Sequence, residues 1–348
     1  MSDAYADAGV DTSEADRGVR ALVDVLRQID IGRASRSVLG AGHYACVLEI
    51  APGLGIALAT DGVGSKLILA EQTGRFDTVG IDCVAMNVND IVCVGAEPIA
   101  MLDYIAVERA DPVVLEQIAI GLRRGAELAG VEIPGGELAI LPDLIKGHPS
   151  PHGIELSGAG FGTVALERII TGDACAPGDA LIGLPSSGLH SNGYTLARRV
   201  LGEHERLDER PALLGGASVA DALLEPTVIY VKAVLALLRS AVRTHGLAHI
   251  TGDGLLNLRR LNPAIGFEID APLEVPGICR LICERGSIEG SQAYQVFNMG
   301  CGFVAVVPAD QAPAAVAVLE QFHAGARVIG HVTAEAGVVS LPGLDVSL

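Results

Sequence analysis

Tryptophan is missing from this 348-residue sequence and aromatic residues make up only 3% of it. That composition suits small-residue packing of helices on sheets. Positive charge is also scarce: 24 Lys and Arg stand against 42 Asp and Glu, a formal net charge of -18. A field of that sign repels nucleic-acid phosphates and anionic membranes, so neither is an expected partner. A polyanionic ligand has to arrive with Mg2+, or dock on backbone N–H groups and a few local cations. The seven cysteines are scattered singly, mostly within apolar runs such as Ile81 to Val84 and Ile91 to Val94, where they act as small hydrophobes. No disulfide framework is expected, and Cys279 with Cys283, at helical spacing without a nearby His, is a poor zinc pair. No apolar run approaches ~18 residues, and Met1 to Val10 lacks a basic segment followed by an apolar one, so a soluble, cytoplasmic protein is expected.

What is present is half hydrophobic and rich in glycine, with 43 Gly, and long enough for two domains with separate cores. Residues 14 to 29 read as a helix with Val19, Leu22, Val23 and Leu26 in one stripe. The glycines between Val38 and Ala45 imitate a dinucleotide-binding pattern, but Cys46 to Ile50 behind them reads as a strand where that motif requires a helix. Ile56 to Thr60 is a buried-strand pattern stopping at Asp61-Gly62-Val63-Gly64-Ser65-Lys66, a tight turn with a cation that does not satisfy the Walker A spacing. From Asp82 to Val94, Val84, Val88 and Ile91 recur at helical spacing. At ~100° per residue, Asp82 and Asp90 then lie about a fifth of a turn apart on the opposite side, with Asn87 beside them. Two carboxylates and an amide can meet a hydrated cation, although a solvated helix face has the same pattern. Val113 to Ala129 reads as a second helix, Val131 to Ile133 as a short strand ending at Pro134-Gly135-Gly136-Glu137, and residues 154 to 166 as a glycine-rich strand.

A boundary is expected between Thr171 and Gly178, giving domains of residues 1–170 and 171–348. Beyond it, the strand Ala180 to Leu184 runs into a small-residue loop, Pro185 to Tyr194, and a helix from Leu196. The pattern recurs at Ala248 to Thr251, Gly252-Asp253-Gly254 and a helix from Leu255. Free N–H groups at such helix starts suit anions, so two of them suggest a phosphorylated ligand. A helix over 226–243, then a strand, a helix and a strand at Gly302–Val307, Ala312–Phe322 and Arg327–His331, complete an α/β or α+β layered class.

In this order the segments resemble the phosphoribosylformylglycinamidine cyclo-ligase, or aminoimidazole ribonucleotide synthetase, family along nearly the whole chain. The resemblance is carried by Tyr5 to Asp11, Thr60 to Lys66, Met86 to Asp90 with Gly95 to Pro98, and Gly135 to Glu137 in the first half. Ser186 to Tyr194, His249 to Gly252 and Phe297 to Gly300 carry it in the second. The resemblance implies a homodimer whose N-terminal strands form a shared barrel, with a layered C-terminal domain packed beside it. It implies ATP-dependent ring closure of formylglycinamidine ribonucleotide to aminoimidazole ribonucleotide in purine biosynthesis. Other ATP-using relatives of the same fold, of hydrogenase-maturation, selenophosphate or thiamine-phosphate type, and a non-catalytic nucleotide-binding paralogue, are the alternatives.

Site roles follow from the resemblance and from donor chemistry. Asp61, Asp90 and Glu137 are expected to hold Mg2+, with Asp82 and Asn87 nearby, because the hard cation prefers oxygen. Gly62, Gly64 and Ser65 shape the ATP turn, and Lys66 is expected to offset charge on the transferring phosphoryl group. His190 is expected to contact the formyl group or move a proton. Ser187, Gly188, Asn192, Thr251 and Gly252 are expected around the ribose phosphate; His249 and His43 are singled out by position alone.

Overall fold

Alternation builds the first half. In the computed structural model, which describes residues 12–201 and 206–348, this half comprises helix α1 (Thr12–Leu26), strands β1 (Ser37–Leu39), β2 (Cys46–Ala51) and β3 (Leu54–Gly62), and helices α2 (Lys66–Thr73) and α3 (Val79–Cys93). Strand β4 (Glu97–Val107), helix α4 (Pro112–Ala129) and strands β5 (Glu132–Ile140) and β6 (Ile154–Ala165) complete it. The strands form one sheet in the order β1-β2-β3-β6-β4-β5. Central β6 alternates buried and half-buried residues along its whole length, as a strand does when one face packs on helices. Gly158 and Gly160 lie on that buried face, where a Cβ would press on Asn87 of α3. Without side chains there, α3 lies directly on the sheet.

The second half is a seven-stranded sheet. Its elements are β7 (Ala180–Pro185), α5 (Tyr194–Leu201), α6 (Val219–Leu224), α7 (Val231–Arg239), β8 (Gly246–His249), β9 (Gly266–Glu268), α8 (Gly277–Gly286) and α9 (Gly290–Val296). They are followed by β10 (Cys301–Val307), α10 (Ala312–Leu319), β11 (Arg327–Thr333), β12 (Val339–Leu341) and β13 (Val346–Ser347). The strand order is β13-β12-β9-β11-β7-β10-β8, antiparallel except where β12 meets β9. Every residue of β10 is buried, which accounts for its unbroken apolar run.

Three local expectations change. The strand expected at 131–133 continues as β5 through Pro134 and both glycines, because parallel pairing with β4 sets Leu102 against Gly135 and Tyr104 against Glu137. The helix expected over 226–243 is only Val231–Arg239. Residues before it are held extended by α3, Thr227 N–H donating to Asp82 and Tyr230 N–H to Asn89. The helix expected from Leu255 is a 3-10 helix, Gly254–Arg260. The segment Tyr5 to Asp11 lies outside the described residues. All seven cysteines are free thiols, and no described helix is long and apolar enough to cross a membrane.

Candidate active site between the two sheets

Helix α3 is the hinge of the arrangement. All of it except Asp90 is buried; of the polar side expected to meet a cation or solvent, Asp82 and Asn89 are instead pressed against the second half and Asn87 against β3 and β6. Asp82 accepts from Thr227 N–H at 2.7 Å and from its hydroxyl at 2.6 Å, and pairs with Lys66 at 2.7 Å. Lys66 also donates to the backbone oxygens of His190 and Glu225. Both charged side chains are 0% exposed; burial pulls the Lys66 ammonium below its usual value, with Asp82 opposing. Neither can reach a nucleotide as expected: Lys66 is a bolt between the halves and Asp82 its seat.

About two turns further on, Asp90 is the one partly exposed residue of α3. Asp90 Oδ1 lies 2.9 Å from His249 Nδ1, and His249 Nε2 lies 3.4 Å from the Asn89 amide nitrogen. Because that amide nitrogen can only donate, His249 carries its proton on Nδ1 and gives it to Asp90. Asn89 is itself fixed, donating to Val228 O and accepting from Tyr230 N–H. Asp61, at the end of β3, is clasped through its backbone by Asn87 in both directions. Burial, and then the neighbouring Asp90 carboxylate, raise the Asp61 carboxyl above the usual range. Arg260 lies 5.3 Å from the Tyr44 ring centre and 2.9 Å from Asp253, and its charge acts on both Asp61 and Asp90. This acidic pair with one arginine brings together charge of both signs from both halves. Removing the strained charge in Asp61→Asn is expected to raise the thermal midpoint of the ligand-free protein while lowering turnover. Calorimetry beside a rate assay checks this, and a lowered midpoint would contradict it.

The loop after β7 closes the other wall. His190, expected to face the formyl group, is 1% exposed and adopts a left-handed φ of 64°. Ser187 N–H donates to its Nε2, and burial holds its pKa well below the usual histidine value, assisted by His249 and Lys66. The ring is neutral and enclosed, so it locks the loop rather than presenting a proton. Ser187 also gives its hydroxyl to Pro226 O, and the Gly188 carbonyl accepts from Ser186 and Asn298. Asn192 and Gly252 remain side by side: a Cβ on Gly252 would lie 3.2 Å from Asn192 Oδ1. Thr251 donates to Asn257 beside them. Across the cleft, Gly64 takes a left-handed φ of 70° and Ser65 Oγ lies 3.3 Å from Thr195 Oγ1. His43 Nε2 donates to Thr171 O, a packing role.

Glu137 does not join Asp61 and Asp90 within one chain. Its row across the sheet is Glu137, Tyr104, Ser157 and Gly62, whereas the adjacent row, Gly136, Asp103, Gly158 and Asp61, faces α3. Successive residues point to opposite faces, so Glu137 leaves from the far side. Arg260, Asn89 and Thr227 were not anticipated; the only sequence signal for Arg260 is a pair of basic residues beside the Gly252 to Gly254 turn.

Comparison with known proteins adds the following. The family described as AIR synthase related protein, N-terminal domain, matches residues 42–164, and its C-terminal counterpart matches residues 176–341. A phosphoribosylformylglycinamidine cyclo-ligase from Thermococcus kodakarensis is 45% identical over 337 residues, covering 96% of each chain. Its namesake from Methanothermobacter thermautotrophicus is 45% identical over 342 residues, 97% of this chain and 96% of the other. Among solved structures, the hydrogenase maturation protein HypE in complex with ATP aligns with a TM-score of 0.60 at 20% identity, covering 85% and 84% of the two chains. AaThiL complexed with AMPPCP and TMP aligns with a TM-score of 0.63 at 16% identity, covering 94% and 93%. At those identities the two structures report the fold alone.

Proposed function

The chain belongs to the phosphoribosylformylglycinamidine cyclo-ligase family, and from that premise we propose how its cleft performs ATP-dependent ring closure of formylglycinamidine ribonucleotide. The formyl amide oxygen attacks the γ-phosphorus of ATP and ADP departs, leaving an imino-phosphate. The amidine nitrogen then attacks the activated carbon, the C–O bond breaks, phosphate leaves with that oxygen, and loss of a proton gives aminoimidazole ribonucleotide. Holding nucleophile and activated carbon together contributes ~7–11 kcal/mol of the barrier reduction.

The observation that carries this reading is the Asp61–Asp90 pair, held by α3 and by His249 of the other half. Two oxygen donors, one of them raised by burial and then by the other's charge, suit a hard divalent cation. Mg2+ bound there would neutralise the nucleotide phosphates during phosphoryl transfer. His249 orients Asp90, Arg260 balances the remaining negative charge, and Asn192, Thr251 and Gly252 seat the ribose phosphate. Residues 1–170 thus serve ATP, with the Gly62 to Ser65 turn against it, and residues 171–348 serve the substrate. Incubation with formylglycinamidine ribonucleotide, ATP and Mg2+ is expected to yield ADP and the aromatic amine one for one; ADP formation without the amine would refute the assignment. The solved structures of HypE with ATP and of AaThiL with AMPPCP and TMP are much more distant, at 20% and 16% identity.

We further propose a cytoplasmic homodimer joined through the outer sheet face. Leu102 and Tyr104, two apart on β4, are 42% and 41% exposed on that face, where a second copy of the chain would cover them. The same face carries Glu137, which a second protomer could bring to a shared site. The wild type is expected to sediment as a dimer and Leu102→Glu as a monomer; an active wild-type monomer would contradict this.

A further inference from the structure

Away from the cleft, Glu268, Asp270 and His331 form the one group among the described residues whose metal-ligating atoms, one from each, all lie within 4.8 Å of one another. Sheet geometry assembles them. Glu268 of β9 stands directly opposite His331 of β11, so both side chains leave the same face. Asp270 follows two residues later. The backbone around it is clamped by Ile269 N–H donating to Ser340 O and Ala271 N–H donating to Ile329 O. Gly330, next to His331, permits the close crossing, since a Cβ there would collide with the Glu268 carbonyl.

The contents of the group point to a cation. Among the described residues, no hydrogen bond or ion pair engages any of the three side chains, so their donor atoms converge without bonding one another. Asp270 and His331 also line a cavity of about 810 Å³ whose opposite wall is α10 and which Arg327 shares. A coordination position would therefore remain open on that side. The acidic chain, at -18, favours accumulation of divalent cations. An imidazole beside two carboxylates shifts preference from Mg2+ towards a transition ion.

We propose that Glu268, Asp270 and His331 bind a divalent transition metal of the Zn2+ type, with a coordination position open to the cavity. This site is separate from the cleft: β10 and β7 lie between β11 and the strand that carries His249. It does not depend on the cyclo-ligase assignment.

The test titrates Co2+, as a spectroscopic probe, and then Zn2+ into metal-stripped full-length protein with excess Mg2+ occupying the cleft. One equivalent of Co2+ with visible absorption is expected. His331→Ala and Glu268→Gln should each weaken binding by at least about tenfold, with cyclo-ligase turnover unchanged. Asp270→Asn, an exposed and isosteric change, should also weaken it and guards against misfolding of the others. Absence of binding, unaltered affinity in all three variants, or its loss in Asp61→Asn instead would overturn the proposal.

Discussion

Asp90→Asn is expected to lower kcat/KM by at least about a hundredfold, with the unfolding midpoint nearly unchanged. Asp90 is the only residue of α3 that is not buried, and asparagine keeps an oxygen for His249 Nδ1–H to donate to. What the substitution removes is the charge that attends the nucleotide. The effect should fall on turnover at saturating ATP and formylglycinamidine ribonucleotide, while circular dichroism and the melting curve remain those of the parent. Wild-type activity in this variant would remove Asp90 from the chemistry and leave His249 as its packing partner only.

The second large effect is on stability. Lys66→Met leaves Asp82 buried and without its counter-charge, with Thr227 still bonded to it. Breaking a fully buried pair from one side costs about 3–5 kcal/mol, a large part of the roughly 5–15 kcal/mol that holds a typical protein folded. A lowered urea midpoint should report it. Adding Asp82→Asn removes the stranded charge but keeps an acceptor for Thr227, so the double variant should recover most of the loss. Its turnover should recover as well. A double variant that folds but cannot transfer the phosphoryl group would return Lys66 to the catalytic role that the resemblance had implied.

Lys66 illustrates where the sequence stops speaking. Its place after the Asp61 to Ser65 turn marks a cation near a nucleotide loop, and that local reading is sound. Its fate is decided by Asp82 on the neighbouring helix and by the backbone oxygens of His190 and Glu225, which approach only when the two sheets close on each other. Helix α3 shows the same division. Its period of Val84, Val88 and Ile91 announces a helix and a core face, but amphipathic spacing does not say whether the polar side meets water or another domain. The glycine-rich strand β6 and the buried runs of β7 and β10 were legible because their patterns are dictated by immediate neighbours in the sheet. That Glu137 leaves the opposite face from Asp61 of its own chain was not legible, because the side of a sheet to which a residue points depends on where its strand starts and with which partner it is in register. The chain's continuation through Pro134 is set by β4, not by its own composition. Arg260 lay outside the expected set because a 3-10 helix presents no apolar period, and its position over Tyr44 joins segments more than two hundred residues apart.

The central claim is that phosphoryl transfer in the cleft turns the formyl oxygen into a leaving group. The direct measurement uses formylglycinamidine ribonucleotide carrying heavy oxygen in its formyl group, together with Mg2+-ATP, followed by mass analysis of the inorganic phosphate formed. The account predicts that the phosphate acquires one heavy oxygen for each aminoimidazole ribonucleotide produced. Unlabelled phosphate, with the heavy oxygen released to water, would contradict it.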